Sequence, residues 1–138
     1  MNTKIIDNVE LLILPEMGDE KGLLVAIENN KEIPFEIKRI FYIYKTTDNV
    51  IRGKHANKQS SFLLISVNGA CKILVDNGKE KQIVELNQPN MALLLGSMIW
   101  KDMYDFSEDC ILLVLSNEKY NLDEYVKDYD QFLKLINC

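Results

Sequence analysis

A single histidine, His55, stands in a chain of 138 residues, and that scarcity excludes more than any other count. Transition-metal centres built from several imidazoles or thiolates need more ligands than one histidine and three scattered cysteines supply. Cys71, Cys110 and Cys138 are odd in number and form no CxxC pair, so reduced structural thiols are expected rather than a disulfide framework. Cys71 and Cys110 sit in apolar runs, where a free thiol behaves as a small hydrophobe. No apolar run approaches the ~20 residues of a membrane helix, and the start, MNTKIIDNVELL, lacks the apolar stretch of a signal peptide. The expectation is a cytoplasmic protein with no membrane partner. Cations are also in the minority: 16 Lys and Arg against 21 Asp and Glu give a net charge of −5. That argues against nucleic acid as a partner, since such binding rests on clustered Lys and Arg. A small anion met by a local basic pocket stays open.

What the chain does have is an ordinary globular composition, 47% hydrophobic and 27% charged, at a length suited to one domain spanning 1–138. Short apolar stretches alternate with turn residues. Strands are expected at 9–14, 22–28, 37–44, 62–67, 70–76, 82–86, 92–95, 98–100 and 110–116. Alternation sends Ile37, Arg39, Phe41 and Ile43 to one face and Lys38, Ile40, Tyr42 and Tyr44 to the other. Asn68-Gly69 marks one turn, and Asn77-Gly78 between apolar runs is a strong hairpin signal. Strands at this spacing point to an all-β antiparallel sandwich or barrel. Only the end differs: Leu122, Tyr125, Val126, Tyr129, Phe132, Leu133 and Ile136 recur at helical spacing, with Asn121 as cap and Glu124 completing a capping box. A C-terminal α-helix is expected there, its tyrosines serving as packing.

Three constellations carry potential chemistry. Arg52-Gly53-Lys54-His55-Ala56-Asn57-Lys58 gathers the histidine and three cations, and reads either as a solvated basic loop or as a site. If the segment is extended, His55 and Asn57 share a face. Trp100-Lys101 with Tyr104 close behind offers flat, partly polar rings beside a cation, or a barrel-closing residue with an exposed neighbour. Arg39, falling among apolar residues, needs an anion or a carboxylate such as Glu28 or Glu36.

Together these segments resemble one family. The matching stretches are Leu24-Val25-Ala26-Ile27-Glu28, Ile33-Pro34-Phe35-Glu36-Ile37-Lys38-Arg39, the Arg-Gly-x-His-Ala-x-Lys run, and the segment from Leu93 to Trp100. Asp105-Phe106-Ser107 and the Tyr120…Asp123-Glu124-Tyr125…Tyr129-Asp130 pattern extend the match over nearly the whole chain. The resemblance is to the WxcM-like cupins, the dTDP-4-keto-6-deoxyglucose 3,4-ketoisomerases. It implies a cupin double-stranded β-helix (a jelly-roll barrel), a homodimer, and no metal or organic cofactor. It also implies a substrate, a dTDP-linked 4-keto-6-deoxy sugar, whose keto group moves from C4 to C3 in the making of 3-amino-3,6-dideoxy sugars for surface polysaccharides. Metal-binding cupins carry HxH, a following carboxylate and a later histidine. Here His55-Ala56-Asn57 is followed by Gln59, Ser60 and Ser61.

The same resemblance makes His55 the catalytic base, since a neutral imidazole both accepts and donates protons near neutral pH. Lys101, Tyr104 and Tyr42 are expected at the barrel mouth as donors to the developing oxyanion, the first two as catalytic residues. Arg39, Arg52 and Lys72 are expected on the pyrophosphate, Asn57 on the ring or a sugar hydroxyl, and Trp100 beneath the sugar. Many relatives carry histidine at the position of Asn57, and histidine or arginine at that of Lys101, so the configuration at C4 stays open. Two alternatives remain: a cupin that binds a nucleotide sugar without turnover, and a nucleotide-sugar 3,5-epimerase.

Overall fold

The computed structural model describes residues 2–47 and 49–137; Cys138 lies outside them. In chain order the strands are β1 Asn2–Ile6, β2 Val9–Ile13, β3 Met17–Asp19, β4 Gly22–Leu24, β5 Arg39–Tyr44, β6 Arg52–Asn57 and β7 Phe62–Asn68. They continue as β8 Cys71–Asp76, β9 Lys81–Leu86, β10 Met91–Leu95, β11 Trp100–Tyr104, β12 Ile111–Ser116 and β13 Tyr125–Val126, and helix α1 is Tyr129–Ile136. One sheet runs β1-β2-β10-β7-β12-β5 and the other β13-β6-β11-β8-β9, with β3-β4 a separate hairpin. Their paired strands are antiparallel. This is the expected all-β jelly roll with a C-terminal helix.

The two sheets close on a core of Ile6, Val9, Leu64, Ile73, Val75, Leu93, Leu95, Leu112 and Val114. A second apolar layer explains why β7 reads Phe-Leu-Leu-Ile without alternation. Its other face, Leu63 and Ile65, is covered by Ile33 and Phe35 from the segment between β4 and β5. A strand buried on both faces loses the polar half of its pattern. The same covering shortens the strand expected at 22–28. Only Gly22–Leu24 pairs, with β3, and Val25 and Ile27 lie against the sheet instead.

The Asn77-Gly78 turn joins the paired strands β8 and β9 as expected. Asn68-Gly69 instead carries the chain from one sheet to the other. Gly69 has φ +68 there, and a Cβ would lie 2.3 Å from Ser107 Oγ. The strand expected at 98–100 starts later, at Trp100, because Met98 takes φ 57 and its N–H donates to Asn57 O at 2.7 Å.

The C-terminal segment departs furthest from expectation. Asn121 does cap, accepting from Asp123 N, but what it caps is a single 3-10 turn at Leu122–Glu124. Tyr125 and Val126 then pair with Asn57 and Ala56 on the edge of β6. The helix begins only at Tyr129, capped by Asp128 accepting from Gln131 N. Hydrogen bonds to an open strand edge outweigh the helical spacing of the apolar residues. Helix α1 docks through Phe132, fully buried, whose ring lies 5.8 Å from Trp100 and 5.7 Å from Tyr129. Phe132→Ala should therefore cost about 3–5 kcal/mol in a denaturant melt, the usual range for emptying a buried aromatic site.

Candidate active site

The site is built on an irregularity in β6. Lys101 faces His55 across the β11–β6 ladder, but Asp102 faces Gly53, so Lys54 is an extra residue on the β6 side. Gly53 (φ 86) and Lys54 (φ 55) both take left-handed backbone, and a Cβ on Gly53 would lie 2.8 Å from the Lys101 carbonyl. Such a bulge bends a strand and re-aims its side chains. Here it turns the imidazole inward, and the basic run expected to be loop or site becomes a paired strand bearing the site.

His55 lines a narrow cavity of about 130 Å³ with Arg39, Phe41, Arg52, Phe62, Lys101, Met103 and Tyr125. Full ligand pockets usually measure ~300–1,000 Å³, so this cavity takes the reacting end of a larger ligand. The residues lining it include three cations and no carboxylate, which suits an anionic ligand. A larger groove of about 550 Å³, lined by Lys4, Ile6, Asn8, Phe35 and Leu94 among others, has no histidine or arginine and none of its charged residues is buried.

Within the cavity the proton positions follow from the contacts. His55 Nδ1 lies 2.9 Å from Gly53 O. A carbonyl only accepts, so Nδ1 carries the hydrogen and the Nε2 lone pair is free. Burial, followed by the nearby Lys101 charge, pushes the His55 pKa down to about 4, so the ring is neutral at physiological pH. Lys101 is 4% exposed. Burial lowers its pKa to about 7, opposed by the Glu124 carboxylate. Its Nζ donates to Asn57 Oδ1 at 3.3 Å and lies 4.4 Å from the centre of the Phe62 ring, a cation–π contact. Asn57 is itself buried, and among the described residues its Nδ2 has no hydrogen bond of ordinary length.

Of the residues expected in the site, His55, Lys101, Asn57, Arg39 and Arg52 come together. Arg39 meets no carboxylate among the described residues. It stacks on Phe41 at 4.4 Å and Tyr120 at 5.0 Å, and its Nη1 donates to Tyr125 Oη at 3.4 Å. The other four stand elsewhere. Tyr42, 61% exposed, is on the outer face of β5, as its alternation with Arg39 requires. Tyr104 alternates with Lys101 and Met103 and so falls on the outer face of β11, away from the cavity mouth. Trp100 is on that outer face too, edge-on to Tyr129 at 5.2 Å beneath α1. Lys72 projects outward from β8 and pairs with Asp105 at 3.1 Å. Two residues read as helix packing or capping belong to the site instead. Tyr125 sets its ring 4.8 Å from His55, and Glu124 accepts from Gln59 N at 2.9 Å and Ser60 N at 2.8 Å behind Asn57.

The WxcM-like, C-terminal family model (FdtA) matches residues 7–137. The chain belongs to this family. It is 39% identical over 136 residues to a TDP-4-oxo-6-deoxy-alpha-D-glucose-3,4-oxoisomerase of Aneurinibacillus thermoaerophilus, covering 99% of this chain and 94% of the relative. It resembles the crystal structure of a TDP-fucose-3,4-ketoisomerase from Campylobacter jejuni at 46% identity and TM-score 0.90, covering 94% of this chain and 96% of that one. A mutant 3,4-ketoisomerase from Thermoanaerobacterium thermosaccharolyticum, in complex with TDP-4-keto-6-deoxyglucose, matches at 37% identity and TM-score 0.93 over 96% of each chain. Within this fold, one cavity brings together His55 and Lys101, two groups able to exchange protons.

The buried lysine sets a stability test. The folded value, about 7, lies below the ordinary 10.5, so between those values the unfolded chain binds the extra proton and the folded one does not. The penalty for burying Lys101 is therefore full below pH 7 and fades as the pH rises toward 10.5. Lys101→Met should stabilise the protein by about 1–4 kcal/mol at pH 6, with the gain shrinking at alkaline pH. Denaturant melts at several pH values check both the sign and the slope.

Proposed function

We propose that the protein is a 3,4-ketoisomerase acting on TDP-linked 4-keto-6-deoxyglucose. The observation that carries the reading is a neutral imidazole with a free Nε2 facing the same small cationic cavity as a buried lysine, in a chain of this family. The reaction needs the C3 proton removed to give an enediolate and a proton delivered to C4. Between those steps the hydroxyl hydrogen passes from the C3 oxygen to the C4 oxygen. His55 Nε2 takes the C3 proton and returns one to C4. The Lys101 ammonium faces the developing oxyanion, and its pKa of about 7 lets it give up and regain a proton as the hydroxyl hydrogen changes oxygen. Tyr125 and the Gly53 carbonyl hold the imidazole in place. Arg39 and Arg52, at the cavity rim, meet the pyrophosphate. Among the described residues no group of three or more His, Cys, Asp or Glu side chains could hold a metal ion, and the scheme uses none.

We infer a homodimer, supported by apolar residues left exposed on the outer face of β5 and on the β3-β4 hairpin: Ile40 59%, Tyr42 61%, Leu23 64%. Patches of this kind mark interaction surfaces. A cytoplasmic location and a place in the supply of 3-amino-3,6-dideoxy sugars for surface polysaccharides, O-antigen among them, follow from the same reading. Among the described residues, no helix is long and apolar enough to cross a membrane.

Incubation with TDP-4-keto-6-deoxyglucose in D2O, followed by proton NMR, tests the reaction. Deuterium should enter at the exchanging ring carbons as the 3-keto product forms, and His55→Asn should lower turnover at least ~100-fold. Heat of binding with TDP but no exchange would leave a binding protein without turnover.

A further inference from the structure

We propose that Glu124 is a positioning residue that acts through Asn57: its carboxylate, anchored behind the cavity, keeps Lys101 in the cationic form that faces the substrate. The proposal rests on the isomerase reading and adds a residue to it.

The anchoring is explicit. Glu124 is 5% exposed and its carboxylate accepts from Gln59 N, Ser60 N and Ser60 Oγ, while its own carbonyl accepts from Lys58 N at 3.0 Å. These bonds join the 3-10 turn to the end of β6, where Tyr125 pairs with Asn57. These three donors favour the ionised carboxylate. Burial works against its charge, yet the Ser60 and Gln59 bonds outweigh burial and hold its pKa below the usual carboxylate range.

Between this anion and Lys101 stands the Asn57 carboxamide. Its Oδ1 accepts from Lys101 Nζ, so its Nδ2 points away from the lysine, buried and without a hydrogen bond of ordinary length among the described residues. Asn57 also favours the ionised form of Glu124, so one amide bears on both the anion and the ammonium. The other polar groups around Lys101 are His55 and Arg52 on β6, Arg39 on β5 and Tyr125 on β13, with Lys127 further out; β7 and β12 contribute only Phe62, Leu64 and Val114. That set contains no carboxylate. Among the described residues, Glu124 is therefore the one anion found to support the charge on Lys101.

The test reads Lys101 itself in the free protein, so it does not depend on turnover. Protein labelled with 13C at lysine Cε is titrated by NMR, the Lys101 signal being assigned by its absence in Lys101→Met. An opposite charge at close range moves a pKa by about 1–3 units, so Glu124→Gln should lower the Lys101 midpoint by about one unit or more, and Glu124→Asp by much less. An unchanged midpoint in Glu124→Gln overturns the proposal. If that variant does not fold, the reciprocal titration reads the same coupling: the midpoint of the 13C-labelled Glu124 carboxyl should rise in Lys101→Met, and an unchanged midpoint there overturns the proposal as well. A shifted midpoint in a protein that fails the deuterium assay would uphold the coupling and reject the isomerase.

Discussion

Two groups that can each take up a proton, His55 and Lys101, are buried side by side across one strand pair. In a poorly solvated cavity both cannot carry charge at once, so one proton is shared out rather than two retained. The imidazole gives way, because burial and the lysine charge act on it in the same direction, while Lys101 is supported by Glu124. In the proposed mechanism, pushing two neighbouring pKa values apart in this way sets the base and the acid before substrate arrives. Burying the lysine is expected to lower stability, a pattern that goes with functional sites more than with cores.

The rest of the fold serves to hold this pair in place. The bulge at Gly53 and Lys54 turns His55 inward and aims its Nδ1 hydrogen at Gly53 O. The crossing of the C-terminal segment over β6 supplies Tyr125 against the imidazole and Glu124 behind Asn57. Helix α1, packed through Phe132 and Tyr129 on Trp100, fixes that segment to the barrel wall. A single C-terminal stretch thus links the outer apolar cluster to the inner polar one.

How much of this could be read in advance depended on whether the signal was local. Alternation along β5 separated Arg39, Phe41 and Ile43 from Ile40, Tyr42 and Tyr44, as the structure shows. The same rule already placed Tyr42 opposite Arg39, and Tyr104, three residues from Lys101, on the opposite face of β11. Grouping them at one mouth by nearness in sequence was the error. Lys72 failed for a similar reason, its residue type suiting phosphate but its strand position facing solvent and Asp105. Glu124 and Tyr125 were illegible for a different reason. Their spacing fits a helix, and only the pairing with β6, a long-range event, overrides it. The Gly53 bulge likewise depends on register with β11.

Because His55 is the sole histidine, its ring resonance needs no assignment, and a proton NMR titration of the free protein reads the central claim directly. The account predicts a midpoint near the value of about 4 set by burial and the Lys101 charge. A midpoint near ~6.5, the value of a solvated imidazole, would contradict it.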